Sequence, residues 1–170
     1  MDKQIVTTLL IMAAVVTFAM AFQAIYPAVM RSSDAMVSAG RSASDRLRTD
    51  VQVIHAGAEL DADGLWQDVN GDGDYDVLIW VKNVGSLSIA APEAGDLFLG
   101  PEGDVRRVPH ASQAGGDLPH WTYTVEGAER WDPTATLLIT VHYGQTLPRG
   151  RYGCKYITTN GLSSEYSLGM

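Results

Sequence analysis

Between Lys3 and Arg31 lie 27 consecutive residues, Gln4 to Met30, without one charged side chain. Most are Ile, Val, Leu, Met, Ala and Phe. As a helix rising about 1.5 Å per residue, the run measures about 40 Å. That exceeds the roughly 30 Å hydrocarbon core of a bilayer. A soluble domain within 170 residues has no use for such an element at one end, so the rest of the chain must be read with it. A cleaved secretory signal would have an apolar core of only about 7–15 residues, which the run exceeds. Two readings stay open: a membrane anchor, or an element that sits in membrane before assembly and in the core of a helical fibre afterwards.

The residues that follow favour the second. Val29, Met36, Gly40, Ala43, Leu47, Val51 and Ile54 recur at steps of three, four and seven, which is one face of a helix. Arg41, Asp45, Arg48 and Gln52 fall on the opposite face. The expected helix therefore covers residues 1–54, with Pro27 disturbing it locally by removing a donor. An amphipathic second half needs a partner to bury its stripe, which a plain anchor does not supply.

Charge divides the chain. Residues 1–54 carry five Lys/Arg against four Asp/Glu, and residues 55–170 carry seven against sixteen, which together give the net −8. An acidic body lacks the clustered cations that a nucleic acid requires, so no nucleic-acid partner is expected. Arg31, Arg41, Arg46 and Arg48 follow the apolar run while only Lys3 precedes it; this asymmetry taken alone places the C-terminal body in the cytoplasm. Cys154 is the sole cysteine, which rules out an internal disulfide or a cysteine-based metal cluster.

Residues 59–76 form an acidic stretch containing Asp68, Asn70, Asp72, Asp74 and Asp76 with Gly73 between them. Oxygen side chains at positions 1, 3, 5 and 9, with glycine at 6 for a sharp turn, match the first part of a calcium loop. Position 12, where an EF-hand has Glu, holds Ile79. Structural calcium is one reading of these residues; a solvated Asn-Gly and Asp-Gly turn is the other.

From Tyr75 onward short apolar runs alternate with glycine and proline. The expected strands are Val77–Val81, Leu87–Ile89, Leu97–Leu99, Val105–Val108, Trp121–Val125, Thr136–Tyr143, Tyr152–Thr158 and Ser164–Leu168. Strands at this spacing predict an antiparallel, immunoglobulin-like β-sandwich over residues 55–170, so the fold class is α+β. No enzyme is expected. His55, His110, His120 and His142 make no zinc-binding spacing, and neither a nucleophile elbow nor a P-loop is present. His110 and His120 read as exposed loop histidines, and the four tryptophans Trp66, Trp80, Trp121 and Trp131 as sandwich core.

The order of these elements resembles the archaellum-type filament proteins of the type IV pilin superfamily. The head Met1-Asp2-Lys3-Gln4 before a charge-poor helix is similar to theirs. So are the run Leu78 to Ser86, which contains Lys82-Asn83-Val84-Gly85, and the stretch from Leu147 through Thr159-Asn160-Gly161 to Ser164. The chain departs from bacterial-type pilins in having no acidic residue between Lys3 and Asp34. The resemblance implies a structural subunit of a cell-surface filament, inserted from the cytoplasmic membrane by an export platform and motor, with the β-domain outside. Copies would polymerise through Ile5, Leu9, Leu10, Met12, Val15, Val16, Phe18, Phe22, Ile25 and Val29. An archaellar stator or accessory subunit anchored in the membrane is the alternative, and a surface binding module a further one.

Overall fold

A computed structural model describes residues 2–170. Helix α1 runs Asp2–Arg48, about 70 Å at the usual rise, and passes through Pro27 without ending. Two compact units divide the chain, Met1–Ser44 and Asp45–Met170. Among the described residues, the first consists of helix alone. Phe18, Phe22 and Tyr26 stack one turn apart along it, with ring centroids 6.5 and 5.4 Å apart.

The second unit is an antiparallel β-sandwich. One sheet has the order β1 (Val51–Ala58), β2 (Tyr75–Asn83), β6 (Thr136–Tyr143), β5 (His120–Val125). The other has β4 (Arg106–Val108), β3 (Asp96–Pro101), β7 (Arg151–Ile157), β8 (Ser163–Gly169). The period-two placement of apolar residues sets the inner faces. In β2, Val77, Ile79 and Val81 are fully buried, and in β6 Leu137, Ile139 and Val141 are. These pair directly across the ladder. Trp121, Trp131 and Tyr156 fill the space between the sheets with edge-on ring contacts near 6 Å. The fold class expected from the sequence is the one observed: α+β, with an immunoglobulin-like sandwich after a long helix.

Several expectations need correction. The helix stops at Arg48, not at residue 54, and Val51–Ala58 is the edge strand β1. A bulge between Val53 and His55 leaves Ile54 exposed and breaks the alternation, so this strand carried a helix-like spacing. Leu87–Ile89 is not a strand; only Ile89 bridges, to Trp131. Finally, His110 and His120 are half-buried. His110 caps the short helix α2 (Ala111–Ala114) by accepting from the Ser112 N–H, and it meets Trp121 edge-on at 4.7 Å. Among the tryptophans, Trp121 and Trp131 are core. Trp66 packs partly against it, and Trp80 lies half-buried on the outer face, donating to Glu126 at 3.0 Å.

The two motifs that carry the resemblance have a common structural task. Within the sandwich unit, both grip residues 46–50. The Ser86 N–H donates to the Arg48 carbonyl at 2.8 Å, and the Val84 and Gly85 N–H groups donate to the Asp50 carbonyl at 3.0 Å. The first of these bonds satisfies a carbonyl that the helix end leaves open, and the other two hold the residue just before β1. Gly85 must lack a side chain: a Cβ there would lie 2.5 Å from the Asp50 nitrogen and 2.7 Å from the Arg48 carbonyl oxygen. From the second motif, the Asn160 carbonyl accepts from Arg46 Nε at 2.8 Å.

Cys154 is buried in β7, and burial pushes its thiol up to about 11. Only the thiolate is nucleophilic. Iodoacetamide at pH 8 is therefore expected to alkylate the folded chain at least about a hundredfold more slowly than the chain unfolded in guanidinium. Equal rates in the two states, followed by mass spectrometry, would contradict this burial.

Candidate functional site

Two features stand out from the packed sandwich: the apolar surface of α1, and the acidic connection between β1 and β2. All ten apolar positions expected to meet neighbours are exposed in the single chain, from 53% at Val16 to 73% at Phe18. These are Ile5, Leu9, Leu10, Met12, Val15, Val16, Phe18, Phe22, Ile25 and Val29. Three hydroxyls of this stretch are satisfied within the helix itself. The hydroxyls of Thr7, Thr8 and Thr17 donate to the carbonyls of Lys3, Gln4 and Ala13, one turn back, at 2.7–2.9 Å. A hydroxyl satisfied within its own helix needs no water. By length and composition α1 is able to cross a membrane.

The connection 59–74 is long for a compact domain and folds over the outer face of β2. The Glu59 N–H donates to the Asp76 carbonyl at 3.1 Å. Trp66 Nε1 donates to the Leu147 carbonyl at 3.1 Å, and Arg149 donates to the Gly64 carbonyl at 2.9 Å. Gly71 and Gly73 take left-handed φ of 75° and 90°, as a tight turn demands. Inside this turn the Asp68 carboxylate accepts from the Gly71 and Gly73 N–H groups at 2.6 and 3.0 Å. Asn70 Oδ1 accepts from the Asp72 N–H, and Asp72 Oδ1 from the Asp74 N–H.

Asp76 lies on the outward side of β2, yet the loop leaves it only 4% exposed. Its Oδ2 accepts from Asn70 Nδ2 at 3.2 Å. Its register partner across the ladder is His142 on β6. Asp76 Oδ1 and His142 Nδ1 lie 2.8 Å apart, but both are buried and neither makes a hydrogen bond. The other ring nitrogen, Nε2, sits 3.0 Å from Thr122 Oγ1 on β5. Ligand atoms of Asp72, Asp76 and His142 fall within 4.8 Å of one another. Burial raises the Asp76 carboxyl above its ordinary value, the imidazole of His142 opposes this, and Asp72 and Asp74 add to it. Burial also raises Glu59, with the Asp76 charge second.

Of the five residues expected to ring a calcium ion, the fold thus gathers Asp72 and Asp76 with an imidazole. Asp68 and Asp74 are not part of that group, and Asn70 touches it by donating to Asp76 Oδ2. His142 was absent from the expectation because no local spacing points to it. Only the pairing of β2 with β6 brings it beside Asp76.

No protein-family profile matches the chain. An uncharacterized protein of Archaeoglobus fulgidus is 26% identical over 170 residues, covering 95% of each chain. Among solved structures, the fold is similar to the archaellum periplasmic stator protein FlaG from Sulfolobus acidocaldarius. The TM-score is 0.55 at 21% identity, over 71% of this chain and 99% of that one. The complex of the archaellum periplasmic stator proteins FlaF and FlaG, from the same organism, gives 0.53 at 21% identity over 69% of this chain and 87% of that one. The sandwich fold is therefore shared with archaellum stator domains.

Proposed function

We propose that this protein is a non-catalytic subunit of an archaellum-type machine, anchored in the cytoplasmic membrane by α1, with its β-sandwich outside in the role of a stator or accessory part. The observation that carries this reading is the unpartnered apolar surface of α1 on a chain whose sandwich already has a complete core of its own. Among the described residues, that core uses nothing before Val51. Apolar side chains exposed over the stretch Ile5–Val29 are stable in lipid and unstable in water, at roughly 1.5–3 kcal/mol for each large one. The shared fold with two periplasmic stator chains supplies the kind of machine. The arginines after the apolar run argue for the opposite orientation, so sidedness is a necessary part of the test.

The filament reading keeps one specific support. Helix α1 continues well beyond Met30, and Met36, Val37 and Leu47 on that part are exposed apolar residues. Lipid does not account for them, whereas packing against other helices does.

The deciding experiment is to shear surface appendages from native cells and quantify the chain in filaments and in membranes, with protease protection of sealed cells. For a stator or accessory subunit the chain stays with the membrane, is far scarcer than the main filament protein, and has a protease-accessible body. Recovery as the main band of sheared filaments would reverse the choice in favour of polymerisation. A body protected inside the cell would defeat both.

A further inference from the structure

We propose that Asp72, Asp76 and His142 form a site for a divalent cation of the borderline transition type, for which zinc is the natural probe. The argument begins with two orphaned atoms. Asp76 Oδ1 and His142 Nδ1 are buried, 2.8 Å apart, and not hydrogen-bonded. Thr122 Oγ1, at 3.0 Å from Nε2, is placed to accept the Nε2–H, and in that tautomer the Nδ1 lone pair is directed at a carboxylate oxygen. Two acceptors so close repel unless a positive species lies between them. A proton there would give the ion pair that their separation also fits, but in an alignment that does not qualify as a hydrogen bond. A metal ion needs no linear arrangement of its two ligands, and it accepts from both lone pairs.

The third ligand comes from the loop. Asp72 is exposed and brings a carboxylate oxygen within 4.8 Å of both other ligand atoms. Asp74 adds further negative charge near Asp76, which favours any cation. The imidazole chooses among cations. Calcium takes oxygen ligands, while one nitrogen with two carboxylates suits zinc and similar first-row ions. Thr122 then acts in the manner of the outer groups that fix the tautomer and orientation of metal-bound histidines. Bound metal would clip the 59–74 connection to the outer face of β2 and β6. This site stands independently of the stator reading, since it uses no residue of α1.

The test uses the full chain in detergent micelles, stripped of metal. Zinc is titrated against a chromophoric chelator, cobalt(II) spectra report a nitrogen ligand, and calcium is titrated separately. One zinc per chain is expected, with affinity at least about tenfold weaker in Asp72→Asn and in His142→Gln. Near-UV circular dichroism checks that each variant is folded. Asp72 is exposed, so its loss leaves the sandwich intact even should His142→Gln perturb β6. Three results would overturn the proposal: no stoichiometric zinc binding, zinc binding indifferent to both variants, or a calcium site that ignores His142→Gln and is lost in Asp68→Asn.

Discussion

Replacing Val15 and Phe18 together by lysine should release the chain from membranes while leaving the β-sandwich folded. Both residues sit near the middle of the uncharged run Gln4–Met30, where a lysine costs about 3 kcal/mol in a transmembrane helix. Two of them cost about 6 kcal/mol, which is roughly four orders of magnitude in the insertion equilibrium. Being three apart, they share a helix face, so their like charges do not relieve one another. The sandwich draws on neither residue, and its near-UV spectrum should match that of the parent. Alkaline extraction of membranes, followed by blotting of pellet and supernatant, measures the first effect. Leu65→Lys, at an exposed apolar residue of the β1–β2 connection, is the control and should stay in the pellet. A doubly substituted chain that still resists extraction would mean that lipid is not what covers α1. A molten sandwich in that variant would mean that the helix contributes to the core after all.

The helix was legible because composition alone decides it: no other arrangement accommodates so long a run without charge. Its end was not legible. Val51 and Ile54 continue the helical spacing, and the strand that they actually join hides its period of two behind a bulge at residues 53–55. The strands with clean alternation, β5 and β6, stood out from sequence because their inward residues pair in register across one ladder. Leu87–Ile89 shows the converse. It is apolar enough for a strand, but Asn83 binds the Leu87 carbonyl with its side chain and draws that backbone into a turn. The acidic loop was readable as a glycine-containing turn rich in carboxylates. The place of His142 beside Asp76 was not, because the imidazole arrives from another strand and the spacing of carboxylates carries no trace of it. Burial of Asp76 was equally hidden, since a residue on the outward side of a strand is covered only when a loop folds back over it.

Asn83→Asp, a change of one nitrogen to oxygen, should be among the most damaging substitutions in the sandwich. Asn83 is fully buried. Its Nδ2 donates to the Leu87 carbonyl at 2.9 Å and the Trp131 carbonyl at 3.1 Å, while its Oδ1 accepts from the Gly85 N–H at 3.0 Å. Its backbone N–H and carbonyl are paired with Ala135 and Thr134. One side chain thus joins β2, the turn that holds residues 48–50, and the loop carrying Trp131. In the aspartate variant the two donor bonds become oxygen facing oxygen, and a charge is buried with no cation beside it. Breaking a buried charge-assisted or polar network of this kind costs about 3–5 kcal/mol, or roughly 10–20 °C in Tm for a domain of this size.

The loss should depend on pH in a definite sense. The introduced carboxyl titrates near 3.9 when unfolded and well above that when folded, because burial disfavours the anion. Below the unfolded value it is protonated in both states and can donate one hydrogen bond, so the deficit relative to the parent is smallest there. As pH rises, folding must take up a proton or bury a charge. The deficit then grows by about 1.4 kcal/mol per pH unit until the folded value is passed. Urea unfolding of parent and variant at pH 4 and pH 7, followed by tryptophan fluorescence, measures both magnitudes. A variant as stable as its parent at pH 7, or a deficit that stays the same at both pH values, would show that Asn83 is not the buried junction that its three side-chain hydrogen bonds describe.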